Sequence, residues 1–310
     1  MSNAYQALRE SAAWIDLSAR GKIRVAGEDR ARLLHAMCTQ NITDMKSGEG
    51  AYAFFLNAQG RILADTNIFC FEDHFLLDTE PEMARSLFEH IDRYIIADDV
   101  TLTDETAQTA TISVEGPEAE RVLRGWGAAV PEGDHRTALW DGKVVAQVSS
   151  TGAPGYFLFV PNAAKDELVA KLGDVPQADA AEARVVRIEN GLPRYGEEIT
   201  DRYLVQETAQ MRAVHLSKGC YLGQEIVERV RSRGQVHRLL RKLELETAVP
   251  PAAGTKLTAG GADAAEIASS AISPATGKAV ALAYVRAPFA EPGTVIEMGI
   301  DGGAFTARVC

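Results

Sequence analysis

A chain of 310 residues, 46% hydrophobic and 24% charged, has ordinary globular composition and is long enough for two domains with cores of their own. Its 32 Lys and Arg against 43 Asp and Glu leave a formal charge of -11, which excludes a general binder of nucleic acid or anionic membrane, because both need a basic footprint. The lead carries Glu10 and Asp16 and no long apolar run, and Cys38, Cys70, Cys220 and Cys310 form no C-x-x-C; no signal peptide, transit peptide, membrane span or self-contained metal site is expected, and a reduced, cytoplasmic, bacterial setting is.

After a helical or irregular lead, Lys22 to Ala26 alternates as a strand, and Glu28 to Met37 reads as an amphipathic helix with Leu33, Leu34 and Met37 inward. Strands follow at 51–56, 61–70 and 74–78, the first two joined by the turn Asn57-Ala58-Gln59-Gly60, and a helix runs from about Pro81 to Tyr94. A similar order returns with a strand at 111–115, a helix after Gly116-Pro117, strands at 143–149 and 156–160, and a helix at 163–172. Read as an internal repeat, this gives two β-rich layers with helices, whose facing surfaces enclose a cavity. The helix from about Asp179 to Asn190 buries Ala181, Val185 and Ile188 and stops at Gly191. Glu189 then falls beside the negative end of the helix dipole, a local cost of about 0.3–1 kcal/mol that points mildly to function. From Gly191 to Gln210 the chain reads as a loop crossing the cavity, and beyond Pro250-Pro251 as a small antiparallel barrel or sandwich.

The stretch Lys218-Gly219-Cys220-Tyr221-Leu222-Gly223-Gln224-Glu225 carries the most reactive side chain. Leu222, Ile226 and Val230 make the stripe of a helix, so Cys220 is expected just before a helix N-terminus with Lys218 two residues away. A cation and a helix N-terminus both favour thiolate over thiol, which suits a nucleophile or a metal ligand. On spacing alone the favoured reading is a cysteine that packs as a small hydrophobe. No H-x-x-x-H, P-loop or G-x-G-x-x-G is present to suggest a metal or nucleotide site.

These eight residues resemble the K-G-C-Y-x-G-Q-E signature of the YgfZ group, folate-binding proteins of iron–sulfur cluster assembly or repair related to the glycine-cleavage T-protein, an aminomethyltransferase. Arg187-Ile188-Glu189-Asn190-Gly191-Leu192-Pro193, Phe55 to Arg61 with Asp65, and Arg229, Arg233 and Gly234 also match family motifs. The resemblance implies an α+β fold: two similar β-rich subdomains with helices over residues 1–240, joined near 95–110, and a C-terminal antiparallel β-barrel over 241–310. It implies a tetrahydrofolate or one-carbon derivative as cofactor. Glu189, whose carboxylate can accept the paired donors of a pterin, would be a contact, with Arg229, Tyr221 and Arg233 beside it; the glutamyl tail is expected on the basic run that includes Arg229 and Arg233. Cys220 would be the reactive thiolate, Lys218 its activator, and Asp65 a polar wall. Partners would be iron–sulfur enzymes, such as radical-SAM tRNA-modifying enzymes, or cluster assembly proteins, with no stable nucleic-acid complex. The T-protein relatives carry two adjacent aspartates where this chain has Ala64-Asp65. One carboxylate of the pair is therefore missing, which puts the alternative, a true aminomethyltransferase or demethylase, in doubt without excluding it.

Overall fold

The computed structural model describes residues 2–234, 236–300 and 303–310, and the side chains of 233, 298–300, 303 and 304 lie outside it. The contact expected of Arg233 therefore falls outside the described residues. Of the helical or irregular lead expected, the structure shows the helix: α1 (Asn3–Glu10) is capped by the Ser2 hydroxyl, and β1 (Ala13–Asp16) follows.

The first unit runs β2 (Gly21–Ala26), α2 (Arg30–Met37), β3 (Gly50–Leu56), β4 (Ile62–Cys70), β5 (His74–Thr79), α3 (Ala84–Asp92) and β6 (Thr101–Asp104). The second repeats that order with β7 (Thr109–Glu115), α4 (Ala119–Gly125), β8 (Thr137–Trp140), β9 (Lys143–Ala146), β10 (Gly155–Pro161) and α5 (Lys165–Leu172). The sheets are ordered β3-β4-β5-β2-β6 and β8-β9-β10-β7-β1, so the repeat read from the sequence is a repeat of topology. The fifth strand marks the difference: β6 closes the first sheet from the unit's own end, whereas β1 reaches the second from the N-terminus and pairs antiparallel with β7, Trp14 opposite Val114.

Side-chain alternation decides what each face meets. On β4, Ala64, Ile68 and Cys70 enter the core under α2 and α3 with Phe55, Leu34 and Leu87. Asp65 and Asn67 turn the other way and line a cavity, while Phe69 joins Val148, Phe157 and Phe159 where the inner faces of the two sheets touch. The outer face of the second sheet buries Ile112, Val114 and Leu158 against Leu123 of α4 and Leu168 of α5.

Next come α6 (Ala180–Glu189), started by a capping box between Asp179 and Glu182, and α7 (Gln224–Arg233), ended at Gly234. The buried side of α6 is Val186, Arg187 and Ile188, with Ala181 exposed. This differs from the expected register because α6 is shared between α1 and the barrel, not laid on one sheet. The six strands β11 (Arg238–Leu245), β12 (Lys256–Ala259), β13 (Ala262–Ile272), β14 (Ala279–Arg286), β15 (Val295–Ile300) and β16 (Gly303–Val309) close into an antiparallel barrel, β16 pairing with β11. This is the mixed α+β fold expected. No helix among the described residues is long and apolar enough to cross a membrane.

One ion network spans the units. Arg20, in the link between β1 and β2, donates through Nε and Nη2 to Asp78 at 2.8–3.1 Å and pairs with Glu80. Arg194, beyond α6, donates to Glu80 at 2.9 Å and to Glu82 at 2.7 Å. Burial works against the Arg20 charge, but Asp78 and Glu80 outweigh it and raise its pKa well above the ordinary arginine value. Asp78 is fully buried, and removing one member of a buried pair costs about 3–5 kcal/mol. Asp78→Ala should lower the urea midpoint by an equivalent amount at unchanged slope. A loss below about 1 kcal/mol would place the join between the units elsewhere.

Candidate functional site

A cavity of about 860 Å³ opens between the two sheets, walled on its third side by α6 and the loop after it. Apolar surface comes from Ile15, Leu17, Val148, Phe157, Leu192 and smaller residues, interleaved with polar and charged side chains. The loop after α6 lines it through Gly191, Pro193 and Arg194, as the reading of 191–210 expected. The second sheet contributes the 149–152 turn, which is pinned from beneath by the buried Glu115 carboxylate. That carboxylate accepts the Ser149, Ser150 and Thr151 hydroxyls and the backbone N–H groups of Ser150 and Thr151. From above, Asn190 Nδ2 donates to Thr151 O at 2.9 Å.

Asp65 is the predicted site residue that lines this cavity. Its Oδ2 accepts from the Tyr52 hydroxyl at 2.8 Å, and no donor reaches Oδ1 among the described residues. Burial first, and the neighbouring Glu80 charge second, push its carboxyl up to about 6 against the hydrogen bond from Tyr52. The pleat shows where the missing member of the aspartate pair would have stood. Ala64 is fully buried in the core beneath the helices, on the opposite face of β4, so a carboxylate there would not reach the cavity.

His135 was not anticipated. It stands in the left-handed region at φ 58, uncommon for a residue with a side chain, and is buried in the cavity wall. Its Nδ1 lies 3.0 Å from the Asp134 carboxylate and its Nε2 3.0 Å from Asn67 Oδ1, while Asn67 Nδ2 donates to Asp78 at 2.8 Å. A loop of the second unit is thus bonded to a strand of the first. Only a fold that brings residues 67 and 135 together reveals this bridge, and neither residue sits in a recognisable motif.

The other predicted residues lie away from the cavity. The Glu189 carboxylate faces α1, where the Tyr5 hydroxyl donates to it at 2.7 Å and Arg9 Nη1 at 3.3 Å. Arg229 is exposed on α7. Tyr221 is buried with Phe54, Leu56 and Val227, its hydroxyl without a partner among the described residues, and burial pushes that hydroxyl up to about 12.

The signature stretch is a clamp. Lys218 Nζ donates to the carbonyls of His35, Cys38 and Gln40, capping the negative end of α2, and burial pulls its pKa down to about 8. Its ammonium is therefore committed to backbone carbonyls, not to the thiol as expected. Leu222 N–H donates to Ala36 O at 3.0 Å, and Gln224 Oε1 accepts from Tyr221 N–H at 3.3 Å. Gly223 has φ +82, and a Cβ there would stand 2.6 Å from Asn57 O; only glycine fits. Cys220 is exposed, four residues before α7 begins. Leu222 consequently lies outside the helix whose stripe it was expected to start. Among the described residues no three His, Cys, Asp or Glu side chains are placed to hold a metal ion.

Comparison with known proteins agrees with this architecture. Residues 1–218 match the GCVT N-terminal domain and residues 238–310 the glycine cleavage T-protein C-terminal barrel domain. An aminomethyltransferase of Rubrobacter xylanophilus is 30% identical over 91% of this chain and 78% of its own. A putative chloroplastic transferase of Arabidopsis thaliana is 27% identical over 95% of this chain and 70% of its own. The crystal structure of aminomethyltransferase T from Bartonella henselae superposes with a TM-score of 0.89 at 22% identity, covering 99% of this chain and 87% of that one. With the N-terminal match covering most of the chain and the barrel match following it, the chain belongs to the glycine-cleavage T-protein family.

Proposed function

We propose that the chain binds a tetrahydrofolate or a one-carbon derivative in the cavity, and serves iron–sulfur enzymes, radical-SAM tRNA-modifying enzymes among them, through the Cys220 thiol. The observation that carries this reading is the separation of the two sites. Lys218, Tyr221, Leu222, Gly223 and Gln224 are all spent on packing and backbone bonds, and the residue they hold out to solvent is Cys220. A thiol acting on a small molecule in the cavity would belong in its wall. One held on the outer surface is suited to another protein, to which it would supply a single cluster ligand while the partner supplies the rest.

The cavity fits a reduced folate. Its volume falls in the range of about 300–1,000 Å³ usual for ligand sites. Asp65 offers a carboxylate with one oxygen free to accept N–H donors of a pterin. Phe157, Val148 and Leu192 give the apolar walls that a ring needs. Bound there, the folate would supply a nitrogen able to carry a one-carbon unit; Asp65 would hold or release a proton beside it.

A second reading, a folate-dependent aminomethyltransferase, is favoured by the same carboxylate. Because position 64 faces the core, the cavity has kept its Asp65, and relatives bear that name. Only such an enzyme would form methylenetetrahydrofolate from an aminomethylated carrier protein, and an assay for that product separates the two readings.

In cells lacking this protein, wild type should restore a cluster-dependent tRNA-modifying enzyme and Cys220→Ala should not, although its affinity for tetrahydrofolate stays within about twofold, a change of under 0.5 kcal/mol. Equal rescue by both would remove the thiol from the function. Asp65 gives a second test through pH. Its folded pKa of about 6 lies above the unfolded value of about 3.9, so the folded state binds the extra proton and stability falls as pH rises between those values. Asp65→Asn abolishes that penalty: its stability relative to wild type should grow from pH 4 to pH 7 by roughly 2–3 kcal/mol and then stay level. A difference that does not vary with pH in urea unfolding would mean that Asp65 is not held up by burial.

A further inference from the structure

Five arginines line the cavity, and four are neutralised where they stand. Arg20 is held by Asp78 and Glu80, Arg184 by Glu197, Arg187 by Glu197 and Glu198, and Arg194 by Glu80 and Glu82. The fifth, Arg212, has no carboxylate within 4.0 Å among the described residues. It is exposed, and its guanidinium carbon lies 4.6 Å from the centre of the Tyr52 ring. Its Nε donates to Gln210 Oε1 at 3.2 Å, and Nη1 and Nη2 have no protein acceptor among the described residues. The backbone beneath it is fixed, since Gln40 Nε2 donates to Arg212 O at 2.7 Å and the Thr39 hydroxyl to Ala213 O. Tyr52, on which the guanidinium rests, donates its own hydroxyl to Asp65. From the mouth inward the order is therefore a free guanidinium edge, a phenol ring and a buried carboxyl.

We propose that Arg212 is the carboxylate clamp of the cavity, gripping the glutamyl end of the folate and so orienting its ring toward Asp65. This inference rests on the folate reading above. A guanidinium presents paired N–H donors that match a carboxylate edge-on, and its seat on Tyr52 keeps that edge pre-organised. Folate has the complementary polarity, with N–H donors on the pterin and carboxylates on the tail. A chain of net charge -11 repels a polyanion at a distance; at the entrance Arg212, which feels the Asp134 carboxylate of the same wall but has no carboxylate within salt-bridge distance among the described residues, is where such a ligand gains a local foothold. The tail assignment moves accordingly from the basic run on α7 to Arg212.

Anaerobic fluorescence titration of wild type, Arg212→Met and Arg212→Lys with tetrahydrofolate, its triglutamate and 6-methyltetrahydropterin, which has no tail, tests the clamp. Arg212→Met should weaken tetrahydrofolate by about tenfold or more, the scale of a lost charged hydrogen-bond pair, and reduce the salt dependence of its binding. It should leave the tailless pterin within about twofold, and Arg212→Lys should fall between. An equal loss for both ligands would make Arg212 a support for Tyr52 and overturn the clamp, as would no loss for either. Wild type that binds the tailless pterin as tightly as tetrahydrofolate would overturn the clamp alone, whereas wild type that binds neither would overturn the folate reading and the clamp together.

Discussion

The cavity exists because a chain of charges, Asp78–Arg20–Glu80–Arg194–Glu82, buried at its Asp78 and Arg20 end and reaching solvent at Glu82, runs beside it. Arg20 belongs to the link that steps from one sheet to the other, Asp78 and Glu80 to the end of β5 and just beyond it, and Arg194 to the loop after α6. A single network thus ties all three walls. Buried ion pairs are costly to desolvate and stringent in geometry, which makes them poor glue and good spacers. Where the two inner faces carry Phe69, Phe157 and Phe159 they close on one another, and where they carry charge they stand apart. The cavity is the part of the interface that polar groups keep from collapsing.

What was legible in the sequence is what local rules encode. The helix from about Asp179, its stop at Gly191, the turn at 57–60 and the repeated order of strands and helices each follow from residues within a few positions of one another. The partners of Lys218 do not: proximity in sequence suggested the thiol of Cys220, but the ammonium belongs to the carbonyls at the end of α2, about 180 positions earlier. Glu189 shows a half-success. Its awkward place at a helix end did signal a side chain with a partner, and the partner is α1, brought alongside by packing that no motif records. His135 and Asn67 meet in space alone, as do Arg212 and Tyr52, and both pairings were invisible.

Counting acidic residues along a strand misled for a simpler reason. Neighbours on a strand face opposite sides of the sheet, so Ala64 and Asp65 inhabit different environments, one among aliphatic side chains under a helix and the other in the cavity. A pair of adjacent aspartates is never a pair in the chemical sense on such a strand. The comparison that matters is within one face, where Asp65 has Asn67 and then Phe69 as its successors.

The placement of β1 also governs how the molecule is assembled. Because the first-made strand completes the second sheet, its partner β7 emerges almost a hundred residues later, and until then the nascent N-terminal unit trails an unpaired edge. The second unit cannot be excised as a contiguous piece, for a cut between β6 and β7 gives the N-terminal fragment a surplus strand and leaves the second sheet a vacancy of matching register. The two halves are obligate complements, and the crevice between them is inherited with the interlock.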